Sequence, residues 1–468
     1  MIGSLALRSL TAHPVRTAVL AAGFGVGVAV MAILLGVAGI VLEQAQAPAL
    51  VGGGDVLIRL SEQVPARLVL SGTLQADAIR SRIRTASPAH RTTLFLLRDG
   101  QTPLRVPARG GIPSLERAIA DEETSGVSAW TDSPDDVAWT ASTPDAVLRQ
   151  VDRFHPIPDA PEWQDSWAEW LYFNGRSAEG HFYMKFLVGP ANAEGKRVAG
   201  VRLQLERNGA IESYRDAALL TEEEVRRAPD LTIGGSSVRL DGMRYRVHLD
   251  LSGPRGQRAT GDLTLQATAG RLVPPLEIAG ARGWRTGYVV PVMSGALDGS
   301  VTAVGRTVSF AGGTGYHDHN WGFWRNVSWQ WGQVQHDDLA FIYGRVFPPP
   351  DAADPDRIPG FVGAIGPDGP LGYATDVRIT ETNRPDGQPA SISVRARGTA
   401  LDLTLRFDVA SVETTRMADG PMANGVDFLQ MRGAYTVSGA VGQRRTSFTA
   451  PGAAETFRGE RAGPASAR

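Results

Sequence analysis

The stretch LDLTLRFDVAS, residues 401–411, alternates apolar and polar side chains over most of its length. One face of an extended chain would carry Leu401, Leu403, Leu405, Phe407 and Val409. Alternation with a period of two residues is typical of an antiparallel strand that has one buried and one solvated face.

The same alternation recurs in VRLQLERNG at 201–209 and in YRVHLDLSG at 245–253. Turn sequences follow such segments at 207–209 (RNG), 251–256 (LSGPRG) and 384–389 (RPDGQP). Many short strands joined by turns, without helix-length patterns between them, predict a mainly β chain built of barrels or sandwiches. Two barrels of eight to ten strands fit the length best.

Composition narrows the function classes. The chain has 468 residues, enough for two or three domains, and Lys plus Arg total 47 against 49 Asp plus Glu. This balance argues against nucleic acid as a partner. With no Cys, the chain can form neither disulfides nor thiolate metal sites.

An uncharged apolar run extends from Ala18 to Leu42, with Arg8 and Arg16 before it and Glu43 after it. A helix of this length measures about 37 Å, enough to cross a bilayer. We expect a cytoplasmic lead at 1–16 and a single transmembrane anchor at 17–43 in the cell inner membrane, with the bulk of the chain exported to the periplasm. The alternative is a signal peptide cleaved after Ala47.

The segments SLALRSLTAHPVRTAVLAAGFGVGVAVMAILLG (4–36) and GGGDVLIR (52–59) together resemble the opening of macrolide-export and FtsX-type ABC transporter permeases. The resemblance implies an association with an ABC exporter. The later membrane helices of a permease are absent, since no second long apolar run follows. We expect residues 44–150 to form a small α+β spacer with a loop or linker at 120–145, and residues 458–468 to be a disordered tail.

Rare residue types concentrate in DSWAEWLYFNGR (165–176) and in GTGYHDHNWG (313–322), which continues into GFWRNVSWQWGQVQHDD (322–338). On a strand, alternate residues share one face. His317 and His319 would therefore face one way and Tyr316, Asp318 and Asn320 the other. Trp329 and Trp331 would likewise share a face.

Four interpretations of these residues stay open. His317 and His319 could bind a metal with His336, Asp337 or Glu169. Tyr316 and Asp318 could form a buried acid facing an apolar cavity. The same groups could orient an apolar ligand without chemistry. Finally, the indoles could fill the barrel ends while the polar groups form hydrogen bonds with loops.

The strings AEWLYFNGR (168–176), GHFYMKFLVG (180–189), GTGYHDHNWG and WQWGQV (329–334), in this order, resemble the carotenoid 1,2-hydratase (hydroxyneurosporene synthase) and AttH-like family. The resemblance covers about residues 150–457. It implies two lipocalin-like β-barrels, at 151–312 and 313–457, the second opening near the GTGYHDHNWG string. Relatives include hydratases of isolated double bonds and pericyclases, and AttH-like members are often encoded beside ABC exporters.

Tyr316 and Asp318 fall on the family's Tyr-x-Asp pair, which implies that Asp318 is a proton donor. An alkene-protonating acid must be held neutral in a dry site, with aromatic faces such as those of Trp321, Trp329 and Trp331 nearby. The stretch RTGYVVPVM (285–293) departs from the carotenoid hydratases, since Tyr288 and Val290 stand where those enzymes carry His and Trp.

We therefore predict a membrane-anchored periplasmic protein that binds an apolar or amphipathic small molecule (a lipid, terpenoid or polyketide-like compound) as an accessory to an ABC exporter. The alternative is a cofactor-free hydratase, lyase or isomerase with Asp318 as general acid. We expect Asp318 and Tyr316 to be catalytic, and we expect neither a metal nor a cofactor. The predicted ligand-binding residues are Glu169, Trp170, His317, His319, Asn320, Trp321, Trp329 and Trp331.

Overall fold

The computed structural model describes residues 82–96, 104–119, 129–140, 143–398, 400–416 and 426–458, with a few single positions between residues 14 and 70. The lead, the anchor and the tail lie almost wholly outside these residues. Within the described part, no helix is both long and apolar enough to span a bilayer. The anchor at 17–43 stays a prediction from the sequence.

A first unit comprises residues 1–59 and 74–140. Its described part holds an antiparallel hairpin and two short helices. We expected a loop at 120–145, but residues 134–140 are helical. The backbone N–H of Ser133 donates to the Asp136 carboxylate over 2.8 Å, and the N–H of Asp136 donates to the Ser133 hydroxyl over 3.2 Å. This reciprocal capping box starts the helix. The elements are β1 (Ala89–Leu96), β2 (Leu104–Gly111), α1 (Pro113–Ala118) and α2 (Pro134–Thr140).

The second unit, residues 60–73 and 141–468, contains two large antiparallel sheets. Two short helices precede or interrupt the first sheet, α3 (Pro144–Val151) and α4 (Glu222–Val225). The strands of the first sheet are β3 (Trp167–Arg176), β4 (His181–Ala191), β5 (Arg197–Arg207), β6 (Ala210–Leu220), β7 (Leu231–Ile233), β8 (Ser236–Asp241), β9 (Arg244–Ser252), β10 (Arg258–Gln266), β11 (Val273–Ala279), β12 (Arg285–Ala303), β13 (Arg306–Ser309) and β14 (Gly313–Phe323).

Eight of these strands close into a barrel in the order β10-β12-β14-β3-β4-β5-β6-β9, with β9 returning to β10. The order follows the chain apart from short side strands, which is the up-and-down topology of lipocalin-like barrels. The interior is filled by the predicted apolar faces, among them Leu203 and Leu249, both fully buried. At the predicted turn between β5 and β6, Asn208 and Gly209 both have positive φ, as a two-residue hairpin requires.

The second sheet has nine strands in the order β18-β17-β16-β15-β23-β22-β21-β20-β19 and curls into a half-barrel. Its concave core contains the 401–411 face, with Leu401, Leu403 and Phe407 fully buried as expected. The strands are β15 (Ser328–His336), β16 (Leu339–Phe347), β17 (Phe361–Gly366), β18 (Gly369–Ala374), β19 (Asp376–Asn383), β20 (Pro389–Arg397), β21 (Leu401–Arg416), β22 (Asp427–Val441) and β23 (Arg444–Arg458).

The boundary between the two sheets differs from our prediction at residue 313. Strand β14 pairs along nearly its whole length with β3, so the GTGYHDHNWG string forms a strand of the first barrel. The chain leaves that barrel through a turn in which the N–H of Val327 donates to the carbonyl of Trp324 and Asn326 has positive φ. The second sheet then begins at Ser328.

Candidate functional site

A cavity of about 270 Å³ lies between the outer face of the first barrel and the face of the second sheet that turns away from its own core. The resemblance placed the opening in the second barrel, but each β unit fills its own core with apolar side chains. The cavity is instead the space between the first barrel and the second sheet.

One wall of the cavity is a row of side chains that crosses four neighbouring strands of the barrel. Asp318 on β14 lies opposite Tyr172 on β3, Tyr172 lies opposite Lys185 on β4, and Lys185 lies opposite Arg202 on β5. All four line the cavity. Because neighbouring strands are about 4.8 Å apart, the row spans about 14 Å along the wall.

The facing wall is a second row, on the second sheet. Trp331 on β15 lies opposite Glu455 on β23, and Glu455 lies opposite Gln430 on β22. The two walls meet where the indole of Trp331 packs edge-on against the rings of Tyr172 and Tyr316, with centroids 6.3 and 5.5 Å apart.

Asp318 ends a chain of hydrogen bonds that begins at Trp331. The indole N–H of Trp331 can only donate, and it donates to the Tyr288 hydroxyl over 2.9 Å. The hydroxyls of Tyr288 and Tyr316 share a hydrogen bond of 2.7 Å, and the Tyr316 hydroxyl donates to Oδ2 of Asp318 over 2.9 Å. The Asn320 amide donates to the other carboxyl oxygen over 2.7 Å. Asp318 is thus held in one orientation at the cavity surface.

The carboxyl groups at the cavity resist ionisation. Burial raises the pKa of Asp318 well above its usual range, although the hydrogen bonds from Tyr316 and Asn320 act in the opposite direction. Burial also raises the pKa of Glu455 to about 7, against the hydrogen bond from Trp329. A carboxylic acid that stays neutral near pH 7 can donate a proton to a bound molecule.

The opposite faces of β3 and β14 carry a second polar cluster, turned toward the barrel interior. His317 stacks on Phe173 with ring centroids 4.1 Å apart. Its Nδ1 donates to the carbonyl of Tyr172 over 2.9 Å, and its Nε2 lies 2.9 Å from Oδ2 of Asp152. Because a carbonyl only accepts, Nδ1 carries a proton in this arrangement.

His319 lies between two buried carboxylates. Its Nε2 is 2.8 Å from Glu169 and its Nδ1 is 3.2 Å from Asp152. Burial alone lowers the pKa of His319, but these two carboxylates outweigh it and raise the pKa to about 9. His319 is therefore an imidazolium at neutral pH, in ion-pair contact with both carboxylates.

Three atoms of this cluster meet the geometric condition for holding a metal ion. Nδ1 of His155, a carboxylate oxygen of Glu169 and Nε2 of His319 lie within 4.8 Å of one another. Glu169 already accepts hydrogen bonds from the backbone N–H of His155 over 3.0 Å and binds both imidazoles directly. Since Glu169 already bonds both imidazoles, the geometry favours a hydrogen-bonded network.

The structure divides the predicted site residues between the two faces. Trp170, Asp318, Asn320, Trp329 and Trp331 line the cavity, and Tyr316 lies directly behind Asp318. Glu169, His317, His319 and Trp321 lie on the other face of the same strands and are not brought to the cavity. This division follows the predicted alternation along β14. The catalytic and ligand-binding roles stay predictions.

Several cavity residues were not foreseen. Lys185 and Glu455 are charged residues within antiparallel strands, where charged residues normally face water. Lys185 stands within the GHFYMKFLVG string, so that string offered a signal for it. Tyr288, noted as a departure from the carotenoid hydratases, is the hydroxyl that joins Trp331 to Tyr316.

Proteins of known structure resemble this chain at low sequence identity. The chain is similar to an AttH-like protein from Nitrosomonas europaea, with 16% identity, a TM-score of 0.41, and coverage of 62% of this chain and 92% of that one. It is also similar to CghA, with 12% identity, a TM-score of 0.41, and coverage of 69% and 97%. For CghA with Sch210972 the identity is 13%, the TM-score 0.38, and the coverage 67% and 95%.

None of the curated proteins matches this chain. The likeness to carotenoid hydratases and to FtsX-type permeases stays a prediction from the sequence. The model of a family described as a domain of unknown function, DUF7064, matches residues 149–444. Since this match spans more than half of the chain, the protein belongs to the DUF7064 family.

Proposed function

We propose that this protein binds an apolar or amphipathic small molecule in the cavity between its barrel and its second sheet. The observation that carries the proposal is an aromatic-lined cavity with an oriented acid at its surface. Ligand sites are typically concave and apolar, with a few polar groups that fix orientation. The aromatic lining includes Trp170, Trp324, Trp329, Trp331, Phe361 and Phe428.

The proposal is tested with 1-decanol, a neutral apolar probe, by calorimetric titration of the full chain. Thr415 lines the cavity from β21, so Thr415→Trp should fill it and abolish binding. Thr414 is exposed on the other face of the same strand, and Thr414→Trp should bind as the unaltered protein does. No binding by the unaltered protein, or equal binding by both variants, would refute the proposal.

A second candidate function is acid catalysis, favoured by the orientation and neutrality of Asp318. In a hydration, the O–H bond of Asp318 breaks as a C–H bond forms on an isolated alkene. Water adds to the resulting cation, and its surplus proton returns to the carboxylate. Trp331 and Tyr172 line the cavity together with Asp318, and aromatic rings can stabilise such a cation.

Asp318→Asn tests this candidate function. Citronellol, which has one isolated double bond, serves as a probe in ¹⁸O-labelled water. We expect the unaltered protein to form a labelled hydration product and Asp318→Asn to lose at least 100-fold in rate, as removal of a general acid typically costs. The affinity for citronellol should change little. Equal rates in both proteins would leave ligand binding as the function.

We also propose that the protein works at the inner membrane beside an ABC exporter. The uncharged run from Ala18 to Leu42 and the permease-like opening of the chain support this location. The test is affinity purification of the chain from membranes. We expect ABC transporter subunits among the co-purified proteins, and their consistent absence would count against the proposal.

A further inference from the structure

The cationic side chains of the cavity are gathered on one wall. Lys185 and Arg202 are cross-strand neighbours on β4 and β5, and both point to the outer face of the barrel because Met184, Val201 and Leu203 fill its interior. The guanidinium of Arg202 donates to the Thr415 hydroxyl over 3.2 Å, which anchors it across the cavity.

The ammonium of Lys185 has no hydrogen bond or ion pair with any of the residues that the structure describes. Burial and the nearby Arg202 lower the pKa of Lys185 to about 8, while Glu455 acts in the opposite direction. A half-buried ammonium beside a guanidinium, without a bonded counter-ion, costs free energy that an anion would offset.

No carboxyl group of the cavity lining forms a hydrogen bond or ion pair with Lys185 among the described residues. Burial raises the pKa of Asp318 well above its usual range and that of Glu455 to about 7, so both carry less negative charge at pH 7 than exposed carboxylates do. Glu277, the other acidic residue of the lining, lies 3.9 Å from Arg285. The two cations of this wall therefore have no bonded carboxylate in the lining, although Glu455 acts on Lys185 and Glu413 on Arg202 through their charges.

We propose that the ligand is an amphipathic acid, whose anionic group is held by Lys185 and Arg202 and whose apolar body extends along the cross-strand row toward Asp318. This inference rests on the proposed function, since it assigns the ligand class of the same cavity. Lys185 and Asp318 are separated by two strand spacings, about 10 Å. The ligand's anionic group thus lies about 10 Å from the part of the molecule that contacts the acid.

Decanoate and 1-decanol test the proposal as a pair, because they share one chain and differ in the charge of the head group. Calorimetric titration of the full chain at pH 7 should show decanoate binding at least tenfold tighter than 1-decanol, the factor expected for one charge-assisted contact. Lys185→Met should lose this preference while keeping its affinity for 1-decanol. Lys185→Arg should retain much of the preference.

Lys196→Met provides the matched control, because Lys196 is exposed in the turn between β4 and β5 and its loss changes the net charge equally. It should bind both probes as the unaltered protein does. Equal affinity for decanoate and 1-decanol would overturn the anion site while leaving the cavity as a ligand site. Binding of neither probe would overturn the proposed function as well.

Discussion

The buried imidazolium of His319 makes the stability of the protein depend on pH. In the folded chain, Asp152 and Glu169 contact its two ring nitrogens and raise its pKa to about 9, although burial opposes this. In the unfolded chain a histidine has a pKa of about 6.5. Between these values the folded chain holds one more proton than the unfolded chain.

The contribution of His319 to the free energy of unfolding should therefore be largest below about pH 6.5, and it should fall as the pH rises to about 9. A difference between 6.5 and about 9 corresponds to about 3 kcal/mol, at 1.36 kcal/mol per pKa unit. The steepest loss is about 1.4 kcal/mol per pH unit.

The assay is urea unfolding followed by circular dichroism at intervals from pH 6 to 9.5, for the unaltered protein and for His319→Gln. Glu455 and Lys185 titrate in the same range in both proteins, so the difference between the two curves isolates His319. His248→Gln is the control, because His248 pairs with Asp262 at the exposed surface. A stability difference that stays constant from pH 6 to 9.5 would refute a buried imidazolium at this position.

Three further perturbations test the packing and the polar networks. Gly287→Ala should destabilise the fold by about 1–3 kcal/mol in urea unfolding, because an added Cβ would overlap the indole of Trp321. Gly200→Ala should cost less, because its added Cβ would make only an ordinary contact at 3.4 Å. Asp152→Asn removes the carboxylate that contacts His317 and one of the two that contact His319, and should cost about 3–5 kcal/mol, whereas Asp262→Asn at the surface should cost about 1 kcal/mol or less. Tyr288→Phe leaves the Trp331 N–H without its acceptor and should cost about 1–3 kcal/mol, and an unchanged unfolding midpoint would mean that this chain of hydrogen bonds contributes nothing.

Local patterns predicted the strands well. The period-two faces at 201–205, 245–251 and 401–409 are buried as expected, because alternation is a property of the extended backbone itself. The same rule correctly separated His317 and His319 from Asp318 along β14. Helix α2 was missed because its capping box lies within an acidic, Ser-rich segment that is otherwise typical of a loop.

Long-range pairing was beyond the local patterns. Nothing within residues 313–323 indicates that they pair with β3, about 140 residues earlier in the chain, and so close the first barrel. The position of the cavity was missed for the same reason. Charged residues such as Lys185 and Glu455 normally face water in an antiparallel strand, and only the packing of the two sheets turns their faces toward each other.

The most direct test of the central claim is a crystal structure of the full chain with decanoate bound. We predict electron density for the ligand between β3 and β15, with its carboxylate in hydrogen-bonding distance of Lys185 and its chain against Trp331. Density inside the first barrel, among Phe186 and Leu203, or an empty cavity at saturating decanoate would contradict a ligand site between the barrel and the second sheet.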